Sequence, residues 1–266
     1  MELQVKGLIL AAGSGTRLHP ITAAISKQLI PIFDKPMIYY PLTTLILAGI
    51  GDVRVVVTAE HLSAFRRLLG DGSEFGIHIS YSVQEKPDGL VGAVLAGADH
   101  LDGENCAVVL GDNLFYGHGA GTSLARLVPA HSGARIFAKT VPDPKGFGVI
   151  ELGKDESTVI SIEEKPSAPK SNLVSTGLYF YDQTLLERAR KVSPSSRGEL
   201  EITELNRDYL SDGLLSIEIL PQSTVWLDTG TVNGLSEASE FVRVVQARQG
   251  KVIGSPEEAA RVSGFI

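Results

Sequence analysis

The sequence predicts an α/β protein with a Rossmann-like, mostly parallel sheet flanked by helices, followed by a smaller mixed β lobe. Over the first half of the 266 residues, short apolar runs that suit buried strands alternate with stretches of helical periodicity. After about residue 134 the pattern changes to short strands, separated by turns rich in proline and glycine. A hydrophobic content of 43% and a charged content of 21% are ordinary for a chain that buries a substantial core.

The first half supplies the elements of the parallel sheet. The predicted strands are 8–11, 53–58, 77–83 and 107–110, and the predicted helices are 38–49, 61–69 and 90–100. The second helix has the clearest pattern, because Leu62, Phe65 and Leu69 recur on one face and Gly70 follows its end. This alternation of strands and helices predicts right-handed crossovers with helices on both faces of the sheet. Ligands of such sheets bind beyond the carboxyl ends of the strands.

The second half supplies the lobe and the C-terminal helices. The predicted strands are 135–140, 148–152, 157–163, 174–181 and 216–220, and the predicted helices are 199–210 and 232–249. We interpret residues 1–266 as a single domain, in which the lobe lies over the edge of the sheet rather than folding separately. Its parts are a core at about 1–133, the lobe at about 134–230 and a helical segment at about 231–266.

Charge and cysteine content limit the partners. A net charge of −7 and a pI near 5.4 argue against nucleic acid or an acidic membrane, although a local basic pocket stays compatible with them. The single cysteine, Cys106, has no intramolecular disulfide partner and lies in an apolar run, which favours a buried structural thiol. The N-terminal residues show no signal-peptide pattern, and no apolar run reaches the roughly 18 residues that span a bilayer. We expect a cytoplasmic protein with no membrane partner.

The first functional motif follows the first predicted strand, where Gly13, Ser14 and Gly15 lead into Thr16 and Arg17. Glycine permits φ > 0 and close approach of a ligand, and successive amides in such a turn bind anions. Arginine adds a fixed cation with a fork of donors. The same residues also suit a glycine-rich turn with solvated cations, and this alternative stays open. The motif is neither a P-loop nor a dinucleotide fingerprint, because the lysine–serine ending and the third glycine are missing.

Two aspartates further along suit a metal site. Asp112 ends the apolar strand at 107–110, and Asp228 follows another short apolar run. Mg²⁺ takes oxygen ligands of this kind and usually shares them with substrate phosphates. Asp112 also suits a turn or a helix N-cap, and Asp228 suits the N-cap of the helix that starts near Val232. Two such aspartates in a chain with a phosphate-binding loop favour the metal.

The glycine motif and the blocks that follow it resemble those of the sugar-1-phosphate nucleotidylyltransferase family. That family has the signature Gly-x-Gly-Thr-Arg-Leu, followed by proline and then by lysine, which is Lys27 in this chain. The similarity runs from Lys6 to about Ile266. Its specific blocks are 13–41, 84–90, 111–118, 163–166, 170–172, 176–182, 197–203 and 226–230.

The resemblance implies Mg²⁺-dependent transfer of a nucleoside monophosphate from dTTP to α-D-glucose 1-phosphate, giving dTDP-glucose and pyrophosphate for deoxysugar biosynthesis. Such transfer needs an in-line arrangement and compensation of phosphate charge rather than a nucleophilic side chain. Arg17 is then the catalytic cation at the β- and γ-phosphates, and Lys27 is the one at the α-phosphate and the leaving pyrophosphate. An alternative is the same chemistry with UTP or another sugar 1-phosphate in a secondary-metabolite pathway. A third interpretation is a non-catalytic sensor of sugar nucleotides.

The resemblance also implies which residues form the site. The nucleotide contacts are Gly13, Ser14, Gly15, Thr16, Gln28, Gln84, Gly89 and Asp112, and the Mg²⁺ ligands are Asp112 and Asp228. The contacts of the sugar phosphate are Gly148, Glu164, Lys165, Tyr179 and Arg197. Alone, the Glu163-Glu164-Lys165 run is typical of a solvated charge cluster. Its expected position at a strand end facing the cleft favours a binding role.

The sequence also departs from the family pattern. Ala12 stands where a second glycine is usual, Gly92 replaces a glutamine, and Phe147 replaces a tyrosine. These changes fit an enzyme with an altered choice of base or sugar. The family forms homotetramers built from dimers, with a regulatory nucleotide site around Gly117-His118, so we expect a dimer or tetramer. The sequence ends at Ile266, before the last helices of the family, which bears on that regulatory site more than on catalysis.

Overall fold

The structure is a computed structural model that describes residues 5–101, 103–117, 124 and 132–266. Its strands are β1 (Val5–Leu10), β2 (Pro31–Ile32), β3 (Lys35–Pro36), β4 (Asp52–Val57), β5 (His78–Val83), β6 (Asn105–Leu110), β7 (Asn113–Tyr116), β8 (Ala134–Thr140), β9 (Gly148–Leu152), β10 (Val159–Glu164), β11 (Leu173–Tyr181), β12 (Leu215–Ile219) and β13 (Val225–Asp228). The α-helices in these described ranges are α1 (Tyr39–Leu47), α2 (Leu62–Leu69), α3 (Leu90–Ala96), α4 (Ala98–Leu101), α5 (Leu185–Ala189), α6 (Ile202–Ser211), α7 (Val232–Gln249) and α8 (Pro256–Ser263).

Strands β6, β1, β4 and β5 lie side by side in that order and run parallel. Ile9 of β1 lies beside Val55 of β4 and Val109 of β6, and all three side chains are fully buried. Continuous apolar strands of this kind are typical of a parallel sheet covered by helices on both faces. The predicted Rossmann-like half is therefore confirmed, and the carboxyl ends of β1 and β6 meet at one edge.

Two apolar cores cover the two faces of this sheet, because successive strand residues point to opposite sides. On one face Ile9 belongs to a core completed by α1, α2 and α8. On the other face Leu8 and Leu10 belong to a core completed by α3, α5 and α6. Cys106 of β6 is buried in the second core, and burial raises the pKa of its thiol, as expected for a structural cysteine.

The strands of the second half continue the same sheet. Strand β11 pairs antiparallel with β6, β8 and β9, β9 pairs antiparallel with β10, and β8 pairs parallel with β12. The sheet thus has the order β10-β9-β11-β6-β1-β4-β5, with β8 and β12 branching from β11. The lobe is therefore joined to the parallel half by backbone hydrogen bonds, and the paired start of β9 and end of β10, at Gly148 and Glu164, face the same cleft.

The predicted helix at 90–100 is interrupted in the structure. Helix α3 ends at Ala96, Gly97 caps it, and the short helix α4 begins at Ala98. A Cβ atom at Gly97 would lie 2.7 Å from the Cδ1 atom of Leu8, so the chain passes very close to β1 at this point. The close approach to the sheet, rather than helix propensity, determines where the helix breaks.

A strand that the sequence did not predict brings the two aspartates together. Strand β7 pairs antiparallel with β13 in a separate two-stranded sheet, and the register sets Asn113 opposite Asp228. The backbone N–H of Thr229 donates to the carbonyl of Asp112 at 3.0 Å, and its hydroxyl donates to the same carbonyl at 2.7 Å. Asp112 and Asp228 therefore lie on adjacent segments at one end of this ribbon.

The helix predicted at 199–210 begins later than expected. Glu201 has extended φ and ψ values of −78° and 137°, and α6 starts at Ile202. Helix α7 spans the predicted residues, and Thr231 is its N-cap, because the threonine side chain accepts from the N–H of Gly234. Asp228 is thus free of the capping role that the sequence left open. Within the described part of the chain, no helix combines the length and apolar character that a membrane span needs.

Candidate active site

A cavity of about 630 Å³ lies at the carboxyl ends of β1 and β6, between the parallel half and the lobe. The structure brings every predicted site residue to this one cavity: Gly13, Ser14, Gly15, Thr16, Arg17, Lys27, Gln28, Gln84, Gly89, Asp112, Gly148, Glu164, Lys165, Tyr179, Arg197 and Asp228 line it. Segments far apart in sequence thus share one concave surface. A cavity of this size suits a small-molecule ligand.

The glycine loop forms one wall of the cavity. Gly15 has a φ of +63°, which glycine adopts without strain, and its carbonyl accepts from the hydroxyl of Thr22 at 2.9 Å. A short 3₁₀ turn at Thr16–Leu18 follows and carries Arg17. A Cβ atom at Gly230 would lie 2.6 Å from the Nη2 atom of Arg17, so the guanidinium reaches across to the loop after β13. The loop therefore lines the cavity and places the Arg17 cation beside the two aspartates.

Lys27 and Asp112 form a buried ion pair on the floor of the cavity. The Asp112 carboxylate also accepts from the side-chain amide of Asn113 at 3.0 Å. Burial alone would raise the pKa of the Asp112 carboxyl, but the Lys27 ammonium, with the amide of Asn113, holds it below its ordinary value. Asp112 is therefore an anion, and Lys27 is a cation held inside the cleft.

Asp228 lies beside this pair, and the pKa of its carboxyl is shifted in the opposite direction to that of Asp112. Burial and the neighbouring charge of Asp112 raise the pKa of the Asp228 carboxyl, although the N–H of Gly230 donates to it at 2.9 Å. Two carboxylates brought together away from water supply oxygen ligands and an excess of negative charge. This donor set fits Mg²⁺, which uses one or two carboxylates and completes its shell with water and phosphate oxygens. Among the described residues, no cluster of three acidic, histidine or cysteine ligands is present.

The lobe side of the cavity is built from interlocked charged side chains. Arg197 donates through Nε and Nη2 to Glu201, at 3.1 and 2.7 Å, and its Nη2 atom also lies 3.4 Å from Glu164. Thr203 donates to the second oxygen of Glu164. Lys165 pairs with Glu164 at 3.2 Å and has a φ of +44°, a strained value for a residue with a side chain. The cations of this wall are thus held in fixed positions.

Three further lobe residues, Phe147, Gly148 and Tyr179, line the cavity beside these charges. Tyr179 is 4% exposed, its hydroxyl lies 3.4 Å from the hydroxyl of Ser175, and burial raises the pKa of the phenol. A Cβ atom at Gly148 would lie 3.2 Å from the Oγ1 atom of Thr203. Phe147 packs edge-on against Trp226, with ring centroids 5.3 Å apart. The floor is therefore mainly aromatic, with hydroxyl groups at its edge.

Two more residues that line the cavity carry oriented amide side chains. The carbonyl oxygen of Gln28 accepts from the hydroxyl of Ser26 at 2.8 Å, and Gln28 is buried. The amide nitrogen of Gln84 donates to Asp88 at 2.8 Å and to the carbonyl of Gly89 at 3.1 Å. These bonds leave the amide hydrogens of Gln28 and the carbonyl oxygen of Gln84 to interact with a ligand.

Some residues that shape the site were missed from the sequence. Asn113 fixes Asp112, and its carbonyl oxygen accepts from the indole N–H of Trp226 and from the N–H of Gly177. Glu201 fixes Arg197. The spacing of four between Arg197 and Glu201 is a sequence signal for an ion pair, whereas the bonds of Asn113 depend on the pairing of β7 with β13, which the sequence did not predict.

Comparisons with known proteins identify the family. The sequence model described as nucleotidyl transferase matches residues 6–244. The chain belongs to the nucleotidyl transferase family. A glucose-1-phosphate thymidylyltransferase from Mycolicibacterium smegmatis is 54% identical over 98% of this chain and 90% of its own length. One from Neisseria meningitidis is 52% identical over 98% of this chain and 91% of its own. With relatives of this kind over almost its whole length, the chain is a nucleotidyltransferase, which favours an enzyme over a sensor.

Solved structures share the fold. A Bacillus anthracis protein described as a glucose-1-phosphate thymidylyltransferase, in complex with sucrose, superposes with a TM-score of 0.82 at 36% identity, over 90% of this chain and 95% of that one. A UDP-glucose pyrophosphorylase complexed with UDP-glucose superposes with a TM-score of 0.78 at 25% identity, over 91% and 99% of the two chains. The α/β architecture that the sequence predicted is therefore the architecture of this family.

A second cavity lies away from the first. It measures about 560 Å³ and is lined in part by Tyr116, Gly117, Lys251 and Glu258. Gly117 is the described half of the dipeptide at which the family resemblance puts a regulatory nucleotide site, and His118 lies outside the described residues. The expected dimer or tetramer and this regulatory site stay predictions.

Proposed function

We propose that the protein transfers the nucleoside monophosphate of dTTP to α-D-glucose 1-phosphate, giving dTDP-glucose and pyrophosphate, with Mg²⁺ bound at Asp112 and Asp228. The single observation that carries this proposal is that the glycine loop, the aspartate pair and the Arg197–Glu164 cluster line one cavity. The relatives that cover nearly the whole chain are named for this reaction. A UDP-glucose pyrophosphorylase among the structural neighbours keeps UTP as the alternative nucleotide.

The nucleotide side of the cavity supplies charge for a triphosphate. Amides of residues Gly13 to Thr16 bind phosphate oxygens in this proposal, and Arg17 contacts the β- and γ-phosphates. Lys27 faces the α-phosphate and the leaving pyrophosphate once its partner Asp112 is shared with the metal. Fixed cations of this kind stabilise the charge that develops on the phosphates, and they need no rearrangement during the reaction.

Asp112 and Asp228 are the residues that would hold Mg²⁺, since they supply two adjacent carboxylates. When bound, the ion neutralises phosphate charge and favours one geometry of the triphosphate. Asn113 keeps the Asp112 carboxylate oriented through its amide, at 3.0 Å. Burial and the charge of Asp112 raise the pKa of Asp228. A cation bound beside the two aspartates would oppose both effects and favour the ionised form of Asp228.

The lobe side suits a phosphorylated sugar. Arg197 and Lys165 are cations for the sugar phosphate, while Glu164 and the N–H of Gly148 suit the sugar hydroxyls. Tyr179 provides an apolar surface beneath the ring, since its side chain lies buried in the floor. The sugar phosphate is thereby held between the lobe and the aspartates.

The reaction that follows is an in-line displacement. A phosphate oxygen of glucose 1-phosphate attacks the α-phosphorus of dTTP and forms a new P–O bond. The bond between the α-phosphorus and the oxygen bridging to the β-phosphate breaks, and pyrophosphate leaves with that electron pair. No proton needs to be moved, so positioning and charge compensation are sufficient.

Pyrophosphate release from a panel of nucleotides and sugar phosphates tests this proposal. The purified protein, with MgCl₂, is incubated with dTTP, UTP, dCTP or ATP and with glucose 1-phosphate or another hexose 1-phosphate. Release with dTTP and glucose 1-phosphate is the expected result, and it should stop when EDTA removes the metal. Release with UTP and not dTTP would establish the alternative nucleotide, and no release with any pair would reject the transferase.

A further inference from the structure

The loop that follows β5 contains an unusual close contact. A Cβ atom built at Gly92 would lie 1.8 Å from Oδ1 and 2.5 Å from Cγ of Asp88. No side chain fits at residue 92 while the carboxylate of Asp88 occupies this position. Gly92 is buried in α3 and has an ordinary helical position, so its backbone does not require glycine. The glycine here makes room for the carboxylate of Asp88.

That carboxylate has a single described role, which is to hold Gln84. Asp88 Oδ1 accepts from the Nε2 atom of Gln84 at 2.8 Å, and the carbonyl of Gly89 accepts from the same nitrogen at 3.1 Å. A side-chain amide has two N–H donors, and both are used within the loop. Gln84 also has its backbone fixed, because its N–H donates to the carbonyl of Val57 at 2.9 Å. The side chain therefore offers the cavity an acceptor, its carbonyl oxygen, rather than a donor.

We propose that Asp88, seated in the space left by Gly92, is a positioning residue that fixes Gln84 as an acceptor and so selects a base with an imide N–H. This inference rests on the proposed function. Thymine and uracil carry such an N–H, with a carbonyl on each side of it. Cytosine has a bare ring nitrogen at the same position, which would face the carbonyl oxygen of Gln84 without a proton between them.

Gln28 supplies the complementary group. Its carbonyl oxygen is occupied by Ser26, at 2.8 Å, so its amide hydrogens are the groups available to a ligand. Both glutamines line the cavity and thus present one acceptor and one donor to a ligand within it. An imide edge, which combines an N–H donor with a carbonyl acceptor, matches both. The contact does not distinguish thymine from uracil, because the two bases share that edge.

Variants of Asp88 and Gly92 test the inference by the ratio of kcat/KM for dTTP to that for dCTP. Asp88→Ala removes the shorter of the two bonds that hold the amide of Gln84, so only the Gly89 carbonyl opposes its rotation by 180°, and the ratio should fall about ten-fold or more. Gly92→Ala should give the same fall, because the new methyl group displaces the flexible carboxylate. Asp88→Asn retains an acceptor oxygen and should recover most of the ratio. Asp71→Ala, at an exposed turn outside the cavity, is the matched control.

The readout separates positioning from a loss of structure. A merely structural defect lowers kcat/KM for both nucleotides together and leaves the ratio unchanged, which would overturn the proposal. The double variant should lose no more selectivity than either single variant, because both changes act through one carboxylate. Gly92→Ala adds a good helix former to α3, so the fold should survive.

Measurements of nucleotide binding make this test independent of the proposed reaction. Calorimetry with dTTP and dCTP, in the absence of sugar phosphate, gives the selectivity without turnover. If the wild type releases no pyrophosphate but binds dTTP more tightly than dCTP, and Asp88→Ala loses that preference while Asp71→Ala keeps it, the reaction is rejected and the role of Asp88 is retained. Equal binding and equal turnover of the two nucleotides by the wild type would contradict the role of Asp88.

Discussion

Replacing Glu201 by alanine should weaken binding of the sugar phosphate while the nucleotide side stays intact. Glu201 is 6% exposed, and one of its oxygens accepts both bonds from Arg197, at 2.7 and 3.1 Å. Without Glu201, the guanidinium has Glu164 and Glu199 as its remaining acidic neighbours, at 3.4 and 3.6 Å. It would then turn toward Glu164, a group that the proposal assigns to the sugar hydroxyls.

The size of this effect follows from the geometry. Hydrogen bonds to a charged group contribute about 1.5–3 kcal/mol. The Arg197 side chain is 40% exposed, so solvent screening puts the value at the lower end, about 1.5 kcal/mol. That free energy corresponds to about a ten-fold change in affinity. Because Arg197 would bind the phosphate in both ground state and transition state, KM should rise by this factor and kcat should change little.

Steady-state kinetics at saturating nucleotide measures the effect. Glu201→Gln keeps an acceptor oxygen without the charge and should give an intermediate KM for glucose 1-phosphate. Glu204→Ala is the control, since Glu204 lies in the first turn of α6, close to Glu201 in the chain, is paired with Arg207 and lies outside the cavity. The reasoning is refuted if the KM for dTTP rises as much as the KM for glucose 1-phosphate, or if Glu201→Ala matches the control.

Three further predictions concern the ion pair, the pH dependence and the packing. Lys27→Met should lower kcat by about 10²–10³, because a fixed cation is lost. MgCl₂ should also raise the melting temperature of this variant more than that of the wild type, because no ammonium group competes with the metal for the Asp112 carboxylate. KCl at equal ionic strength is the control. Burial alone would raise the pKa of Asp182, but bonds from Thr184 and the N–H of Gly133 lower it below 3.8, so the stability it contributes is present above that pH and lost below it. In urea unfolding, the difference in the free energy of unfolding between Asp182→Asn and the wild type should therefore be smallest below about pH 4. Gly97→Ala should destabilise by about 1–3 kcal/mol in urea, because its methyl group meets the core, unlike Gly92→Ala.

Much of this structure could be predicted from local patterns in the sequence. The strands of the parallel half are predictable because β1 and β6 contain continuous apolar runs, β4 is rich in β-branched residues and β5 alternates. The glycine loop could be assigned to the cleft because carboxyl ends of parallel strands meet at one edge. Glu164 and Arg197 were assigned to the same cavity because of the family resemblance. Alone, a run of charged residues is typical of a solvated surface.

Contacts between distant segments were not predictable in the same way. The proximity of Asp112 and Asp228 depends on the pairing of β7 with β13, and the four residues of β7 follow β6 too closely to show a separate strand pattern. Glu201 was assigned to a helix from its composition, whereas it is extended and faces Arg197. Gly92 was recognised as a departure from the family, but its effect on Asp88 depends on three-dimensional contact. Register and side-chain packing, rather than propensity, determine each of these features.

The loop at Asp88 and Gly89 and the segment 197–201 form one hydrogen-bonded unit. The N–H of Leu200 donates to the carbonyl of Asp88 at 2.6 Å, and the carbonyl of Leu200 accepts from Val91 at 3.1 Å. Gly89, with a φ of +107°, permits this approach, because a Cβ atom there would lie 2.6 Å from the Leu200 carbonyl oxygen. Leu200 also sits between Arg197 and Glu201 in the chain. A displacement of the loop at Asp88 and Gly89 would therefore move the segment that orients Arg197. Under the proposed function, we expect a change at this loop to alter the choice of sugar as well as the choice of base.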